Sequence, residues 1–201
     1  FTNLYRSLFQ KAENHILIVR ALAEKNKGLT RTEIAKITGI ASGGGLTRIL
    51  SELEQSNFIR RYLGFGKKKN ESLYQLIDFY SLFYLKFIEK NSREDTQNWI
   101  NGIDNPKHQA WSGYAFELIG LMHIDQIKKS LGISGVQTAI SSWAGSEANK
   151  KAQIDLVIDR RDHVISICAF KFSFNKFTID KEYAEKLKNK INIFKANTKT
   201  T

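Results

Sequence analysis

The sequence predicts an α+β chain of two domains, and three observations carry that expectation. Residues 1–90 hold three successive segments of helical apolar spacing before two short runs of strand character. Residues 91–201 hold three strand-like runs between helical ones, in the order α-β-β-β-α. Between the halves lies a charged, glycine-poor stretch, Lys90 to Asn98, which is the best candidate for a boundary. The 201 residues, 42% of them hydrophobic, suffice for a core in each half.

The elements of the first half follow in order. Glu13 to Lys25 sets Ile16, Leu17, Val19, Arg20, Leu22 and Ala23 along a helical stripe that ends near Gly28. Thr30 is the expected N-cap of a second helix, with Glu33 three residues on completing a capping box. Ile34, Ala35 and Ile37 form its inner face and Gly39 stops it. A third helix from about Gly44 to Ser56 turns Leu46, Ile49, Leu50 and Leu53 inward. The strands Phe58–Tyr62 and Ser72–Leu76 close a ribbon around Gly64–Asn70. Three helices and a basic two-stranded ribbon make a winged helix-turn-helix. A helix over Asp78–Ile88 follows, with aromatic residues nearly all round, the pattern of an element buried between two bodies.

In the second half, the turn at Asn105-Pro106 opens a helix through Gln109–Ile119 that continues to Lys128 and stops at Gly132. Glu117 interrupts its apolar inner face. That glutamate either projects as a metal or water ligand or sits at the exposed edge of the stripe. Val136–Trp143 reads as a strand. Gln153–Ile158 and Val164–Phe172 then form a hairpin about the charged turn Asp159–His163, before a final helix, Lys181–Phe194. With the turn centred on Asp162, Asp155 and Ala169 are cross-strand neighbours, and Lys171 follows on their face. A metal-dependent phosphodiesterase needs this geometry. Two carboxylates there hold a divalent cation through oxygen ligands, and a lysine two residues on orients the attacking water. Here Ala169 stands where the second carboxylate is required.

The net charge of +11 favours polyanionic partners. Residues 1–90 are the more basic, with 15 Lys/Arg against 8 Asp/Glu, compared with 16 against 12 in residues 91–201. On the third helix Thr47, Arg48, Ser51, Glu54 and Gln55 face outward, and of these only Arg48 is a strong base reader. Lys67, Lys68 and Lys69 at the ribbon tip, with Arg60 and Arg61 behind them, suit phosphate contacts that give affinity without sequence choice. A lysine run of this kind also suits a solvated turn, and winged helices also serve as docking or structural modules. Gly43-Gly44-Gly45 could bring backbone amides to a phosphate or simply make a flexible turn.

Other chemistries find no support. The lone Cys168 lies in an apolar strand, so it forms no disulfide within the chain and reads as a structural thiol. His15, His108, His123 and His163 lie in separate elements without the spacing of a zinc site. No motif supports a serine or cysteine nucleophile. No apolar run approaches ~20 residues, and the opening Phe1-Thr2-Asn3-Leu4-Tyr5-Arg6 is neither a signal peptide nor a methionine start. The chain is therefore expected to be a cytosolic fragment, without a membrane partner.

With Phe116-Glu117 on a helix, Asp155 on the second strand and Lys171 on the third, the second half resembles the core of the restriction-endonuclease-like, PD-(D/E)xK superfamily. More narrowly, five strings look like the C-terminal half of a family of bacterial and archaeal AAA-type ATPases. They are residues 39–46, 65–69, 73–80, 108–117 and 153–160, and the likeness spans nearly the whole chain. It implies a winged helix over 1–90 with a bridging helix, a nuclease-like domain over 91–201, and an ATPase module preceding both. It also implies that Glu117, Asp155 and Lys171 match the acidic helix residue, the metal-binding aspartate and the catalytic lysine, with Mg²⁺ at Asp155 and Glu117. Ala169 departs from the superfamily's glutamate. No Gly-x-x-x-x-Gly-Lys-Ser/Thr occurs, so ATP is expected only in the preceding module. The leading expectation is a DNA- or partner-binding region with a degenerate nuclease-like site. The alternatives are a Mg²⁺-dependent endonuclease or nickase using Glu117, Asp155 and Lys171, and a module that docks the ATPase domain.

Overall fold

Leu46, Ile49, Leu50 and Leu53 recur three and four residues apart, and in the computed structural model all four are buried on one face of a helix over Gly44–Gln55, as their spacing predicts. The structure describes residues 1–89, 99, 102, 105–147 and 150–200. The expected boundary stretch, Lys90 to Asn98, lies outside the described residues. Helices and two three-stranded antiparallel sheets make the fold α+β. The chain divides into two units, Phe1–Tyr62 with Lys68–Gln109, and Leu63–Lys67 with Ala110–Thr201. Of the loop that joins the two strands of the ribbon, Leu63–Lys67 groups with the second unit and the residues from Lys68 on with the first.

In the first unit, α1 (Thr2–Leu8) and α2 (Glu13–Ala23) precede a two-residue strand β1 (Leu29–Thr30), α3 (Arg31–Thr38) and α4 (Gly44–Gln55). The inward face of α2 is His15, Ile18, Val19 and Leu22, whereas Leu17 is exposed. The expected stripe is therefore rotated. A polar residue anchors it, because the His15 ring stacks on Phe9 at 4.2 Å and meets the Glu52 carboxylate at 2.7 Å. On α3 only Ile34 is buried and Ile37 is exposed, which corrects the expected inner face. Its capping box forms as the sequence predicts. Glu33 N–H donates to Thr30 Oγ1, while the Thr30 amide and hydroxyl donate to Glu33 Oε2 at 2.8 and 2.9 Å.

The Thr30 amide above all, and then its hydroxyl and Lys25, hold the Glu33 carboxyl below its ordinary range. A depressed folded-state pKa contributes stability that is present above the unfolded value and lost as pH falls through the folded one. Glu33→Gln is thus expected to flatten the acid limb of the stability profile, measured by denaturant midpoints between neutral pH and the carboxylate range. The effect is small, since the side chain is 43% exposed and solvent screens it.

The sheet of this unit runs β1-β3-β2, with β2 at Ile59–Tyr62 and β3 at Leu73–Leu76. The expected ribbon gains a third strand, because Leu29 and Thr30 pair with Tyr74 and Leu73. After it, α5 (Phe79–Phe83) is capped by Asp78, which accepts from the Ser81 amide, and continues as a π-helical turn over Tyr84–Ile88. Ser81, Leu82 and Leu85 are buried while Tyr80 and Ile88 are exposed, so this element has one buried face and is not buried all round. The Tyr5 hydroxyl bonds Ser81 Oγ at 2.7 Å, and its burial pushes the phenol well above its ordinary pKa.

The helical stretch expected to run unbroken to Lys128 is two helices, α6 (Pro106–Met122), whose residues from Ala110 on belong to the second unit, and α7 (Ile124–Ser130), separated at His123. Asn105 Oδ1 accepts from the Lys107 amide, and Pro106 fills the first helical position. The strands β4 (Thr138–Glu147), β5 (Lys150–Arg160) and β6 (Ile165–Cys168) form an antiparallel meander, followed by α8 (Lys181–Thr198). Trp143, Ala152, Ile154 and Val157 pack one sheet face against Ile193 and Phe194 of α8. Leu156 and Ile158 pack the other against Leu121 and Ile133, with Ile124 and Ile127 of α7 at the margin.

Candidate functional site

The β5–β6 ladder pairs Leu156 with Cys168, Val157 with Ile167, Ile158 with Ser166 and Asp159 with Ile165. That register is the one expected of a turn centred on Asp162, and Asp155 and Ala169 are its next pair. However, β6 ends at Cys168. Ala169 and Lys171 lie past the strand, so alternation along a strand does not fix the face on which Lys171 falls. The turn is held by Arg160, whose Nε and Nη2 donate to the Asp162 carboxylate at 3.0 and 2.5 Å. This pairing keeps Asp162 below its ordinary pKa.

On its other edge β5 is irregular at the residue of interest. Ser141 pairs with Val157 and Trp143 with Ile154, which leaves Asp155 and Leu156 together opposite Ser142. This is a β-bulge. It explains why Ile154 and Val157, three residues apart, share one core cluster, which strict alternation forbids. The half-buried Asp155 carboxylate accepts at 3.0 Å from the backbone N–H of Phe170, the amide that β6 would have used had it continued. Asp155 thus closes the end of the sheet.

Glu117 is half-buried on α6, and the contacts of its helix bring it toward the same place. One residue before it, Phe116 lies with its ring 6.0 Å from that of Phe172. Three residues after it, Gly120 faces the Phe170 ring so closely that an added Cβ would lie 2.4 Å from it. Positions three apart share a helix face. Glu117 is therefore flanked by two contacts with the segment that carries Lys171, which is exposed. For a cation, these residues supply the Glu117 and Asp155 carboxylates alone. Ala169 offers no ligand and Asp155 already serves an amide, so the donors fall short of the paired site. No group of three or more His, Cys, Asp and Glu among the described residues is placed to hold a metal. Neighbouring Cys168 is half-buried, and burial pushes its thiol above its ordinary pKa, the opposite of an activated nucleophile.

The cationic residues fall into two groups. Arg60 is half-buried and structural, with Nε donating to Gln75 Oε1 at 2.7 Å and its guanidinium 4.6 Å from the Tyr62 ring. Arg48 is well exposed on α4 and 3.6 Å from Glu52. Arg61, Lys67, Lys68 and Lys69 are exposed. The lysines sit on an ordered loop. On one side the Phe65 amide donates to Ser142 O at 2.7 Å, Gly64 bridges to Ser142, and the Phe65 ring lies 5.2 Å from Phe194. On the other, the Lys68 amide donates to Glu71 Oε2 at 3.0 Å and Ser72 Oγ to Lys69 O at 2.6 Å.

Sequence reasoning missed the anchor. The signal was an aromatic residue between two glycines, Gly64-Phe65-Gly66, inside an otherwise polar turn, and the β5 bulge places Ser142 opposite two residues at the point where Phe65 docks. No helix among the described residues is long and apolar enough to cross a membrane. Compared with known protein families, curated proteins and solved structures, the chain matches none.

Proposed function

We propose that this chain is a DNA-binding, non-catalytic region of a multidomain AAA-type ATPase, a winged helix-turn-helix followed by a nuclease-like domain whose site has lost a carboxylate. The observation that carries the reading is the run Lys67-Lys68-Lys69, exposed yet mounted on a loop anchored on both sides. Cations already held in place lose less conformational freedom when they meet phosphates than cations on a loose turn. Exposed Arg48 and Arg61 add to the same charge. Little in this set reads bases, so the reading is one of backbone contact.

The test is fluorescence anisotropy of labelled duplex DNA over a range of salt. Changing all three lysines to Gln should reduce the slope of log K against log salt by about 2–3, since each neutralised phosphate contributes about 0.9. Asp155→Ala should leave DNA affinity within about twofold, while costing the unit about 1–3 kcal/mol through the unpaired Phe170 amide. An unchanged salt slope in the triple variant would overturn the reading.

A second reading, a Mg²⁺-dependent nuclease using Glu117, Asp155 and Lys171, draws on the contacts that flank Glu117. It requires Mg²⁺-dependent cleavage of DNA that Asp155→Ala and Asp155→Asn both abolish. The leading reading requires the DNA to stay intact with the unaltered chain.

A further inference from the structure

A row of phenylalanine rings runs from the core of the second unit to its surface. After β6 the chain reads Phe170-Lys171-Phe172-Ser173-Phe174-Asn175-Lys176-Phe177. The Phe170 ring packs over Gly120 of α6 and against the core around Leu121 and Ile133. Phe172 lies 6.0 Å from Phe116 of the same helix, and Phe174 lies 4.9 Å from Phe172, nearly perpendicular to it. The row thus leads outward, and its last ring, Phe174, is 64% exposed. A further ring is seated on α8, where Phe177 meets Tyr183 at 5.1 Å, nearly perpendicular, and is itself 41% exposed. Each exposed ring is therefore held by another aromatic. The Cα atoms of Phe174 and Phe177, three positions apart in the chain, are separated by at most about 11 Å.

Lys176 lies between these two residues in the chain, and Lys171 precedes them. Both lysines are exposed, and neither has a partner among the described residues. No Asp or Glu occurs from His163 to Ile179. Asp180, which follows, accepts from the Tyr183 amide as the N-cap of α8. Glu117, the one carboxylate of α6, is half-buried with interactions of its own. Exposed rings interleaved with unpaired cations suit a strand of bases and phosphates, in which the rings take the bases and the cations the backbone. Other occupants fit less well. A second copy related by a two-fold axis would set this patch against itself and bring its lysines together. An acyl surface would strip water from residues 169–180, which are neither helix nor strand and have no ladder of their own to satisfy their backbone groups.

We infer that Phe174 and Phe177 form a stacking platform for single-stranded DNA, with a base on each ring and Lys176 at the phosphate between them. The inference rests on the DNA-binding role proposed above and extends it from duplex backbone to unpaired bases. It uses residues outside the Lys67–Lys69 loop. Every base offers a face to a ring, so the platform selects no sequence. It selects single strands, because bases inside a duplex are already stacked and must be extruded before a protein ring can reach their faces.

The experiment is fluorescence anisotropy of the full chain with labelled oligothymidylate and with an abasic strand of the same length and charge. The oligothymidylate should bind at least about tenfold more tightly, the effect of one stacked base. Phe174→Ala and Phe177→Ala should each remove most of that preference and leave affinity for the abasic strand within about twofold. Phe174→Leu keeps an apolar side chain without the ring and should lose nearly as much as Phe174→Ala. Phe174 is largely exposed, so its variants stay folded. Lys176→Gln should reduce the salt slope by about 0.7 on either strand. Changing Lys67, Lys68 and Lys69 to Gln should leave the preference for bases intact, so the platform and the duplex reading fail separately. Equal affinity for the two strands, a preference unchanged by Phe174→Leu, or a dimer in sedimentation equilibrium that Phe174→Ala disperses would each overturn the platform.

Discussion

Gly28→Ala is expected to destabilise the first unit by about 3–5 kcal/mol, in the exceptional range for a single methyl group, while Gly39→Ala costs about 1–2 kcal/mol. Both glycines hold a left-handed backbone, φ +80° and +72°, so both substitutions carry the strain of that conformation. They differ in what surrounds them. A Cβ on Gly28 would lie 2.3 Å from Tyr74 O and 2.9 Å from its carbonyl carbon, whereas a Cβ on Gly39 meets nothing within 4 Å. Tyr74 O is backbone of the central strand β3 and cannot turn aside as a side chain would. The next residue, Leu29, pairs with Tyr74 in β1, so relief of the clash requires β1 to leave the sheet. Leu29 is fully buried, and its displacement opens the core. Denaturant unfolding of the two variants separates conformational strain from crowding. Equal losses at the two positions would sink the argument that crowding by β3 dominates.

That contrast marks what was legible in the chain. Gly39 could be read as a helix stop because its cause is local. It comes two residues after the last apolar residue of α3, and Thr30 with Glu33 had already fixed where that helix begins. The face of α4 was legible for the same reason, four leucines and isoleucines at helical spacing. The role of Gly28 was not, because the atom that requires a glycine there belongs to Tyr74, 46 positions along the chain. The strand β1 escaped notice likewise. Two residues carry no period of their own and become a strand only by pairing with β3.

Where the reading of α2 went astray, hydrophobicity misled. Leu17 is apolar and exposed, whereas His15 is polar and buried, with Phe9 stacked on its ring and Glu52 at its Nε2. At the candidate site the hairpin register could be deduced from the turn, but not the bulge at Asp155, since both edges of β5 decide it. Alternation was assumed through Lys171, yet the Asp155 side chain takes the amide of Phe170 just beyond the end of β6. A carboxylate that completes a sheet edge and one that binds a cation have the same sequence signature. Only the position of the partner separates them.

Phe194→Ala is the second large effect, expected to cost the second unit about 3–5 kcal/mol. The ring is 1% exposed and meets Trp143 edge-on at 5.2 Å, with Val157, Ile154 and Ile193 in the same cluster. No polar group can fill the space it leaves, so the cavity penalty adds to the lost transfer free energy. Phe65→Ala should cost less, roughly 1–3 kcal/mol, because that ring is only partly buried against the cluster. The double variant then reports on the loop. With the rings 5.2 Å apart, a coupling of about 0.5–1.5 kcal/mol is expected, and additive losses would mean that Phe65 is not held by Phe194. The coupling bears on function through Lys67, two residues from Phe65. If the anchored aromatic is what presents the lysine run, Phe65→Ala should weaken DNA binding without changing the salt slope, since every charge is kept and only its order is lost. A fall in slope as large as that of the lysine variant would instead mean that the loop contacts phosphate only when Phe65 is docked.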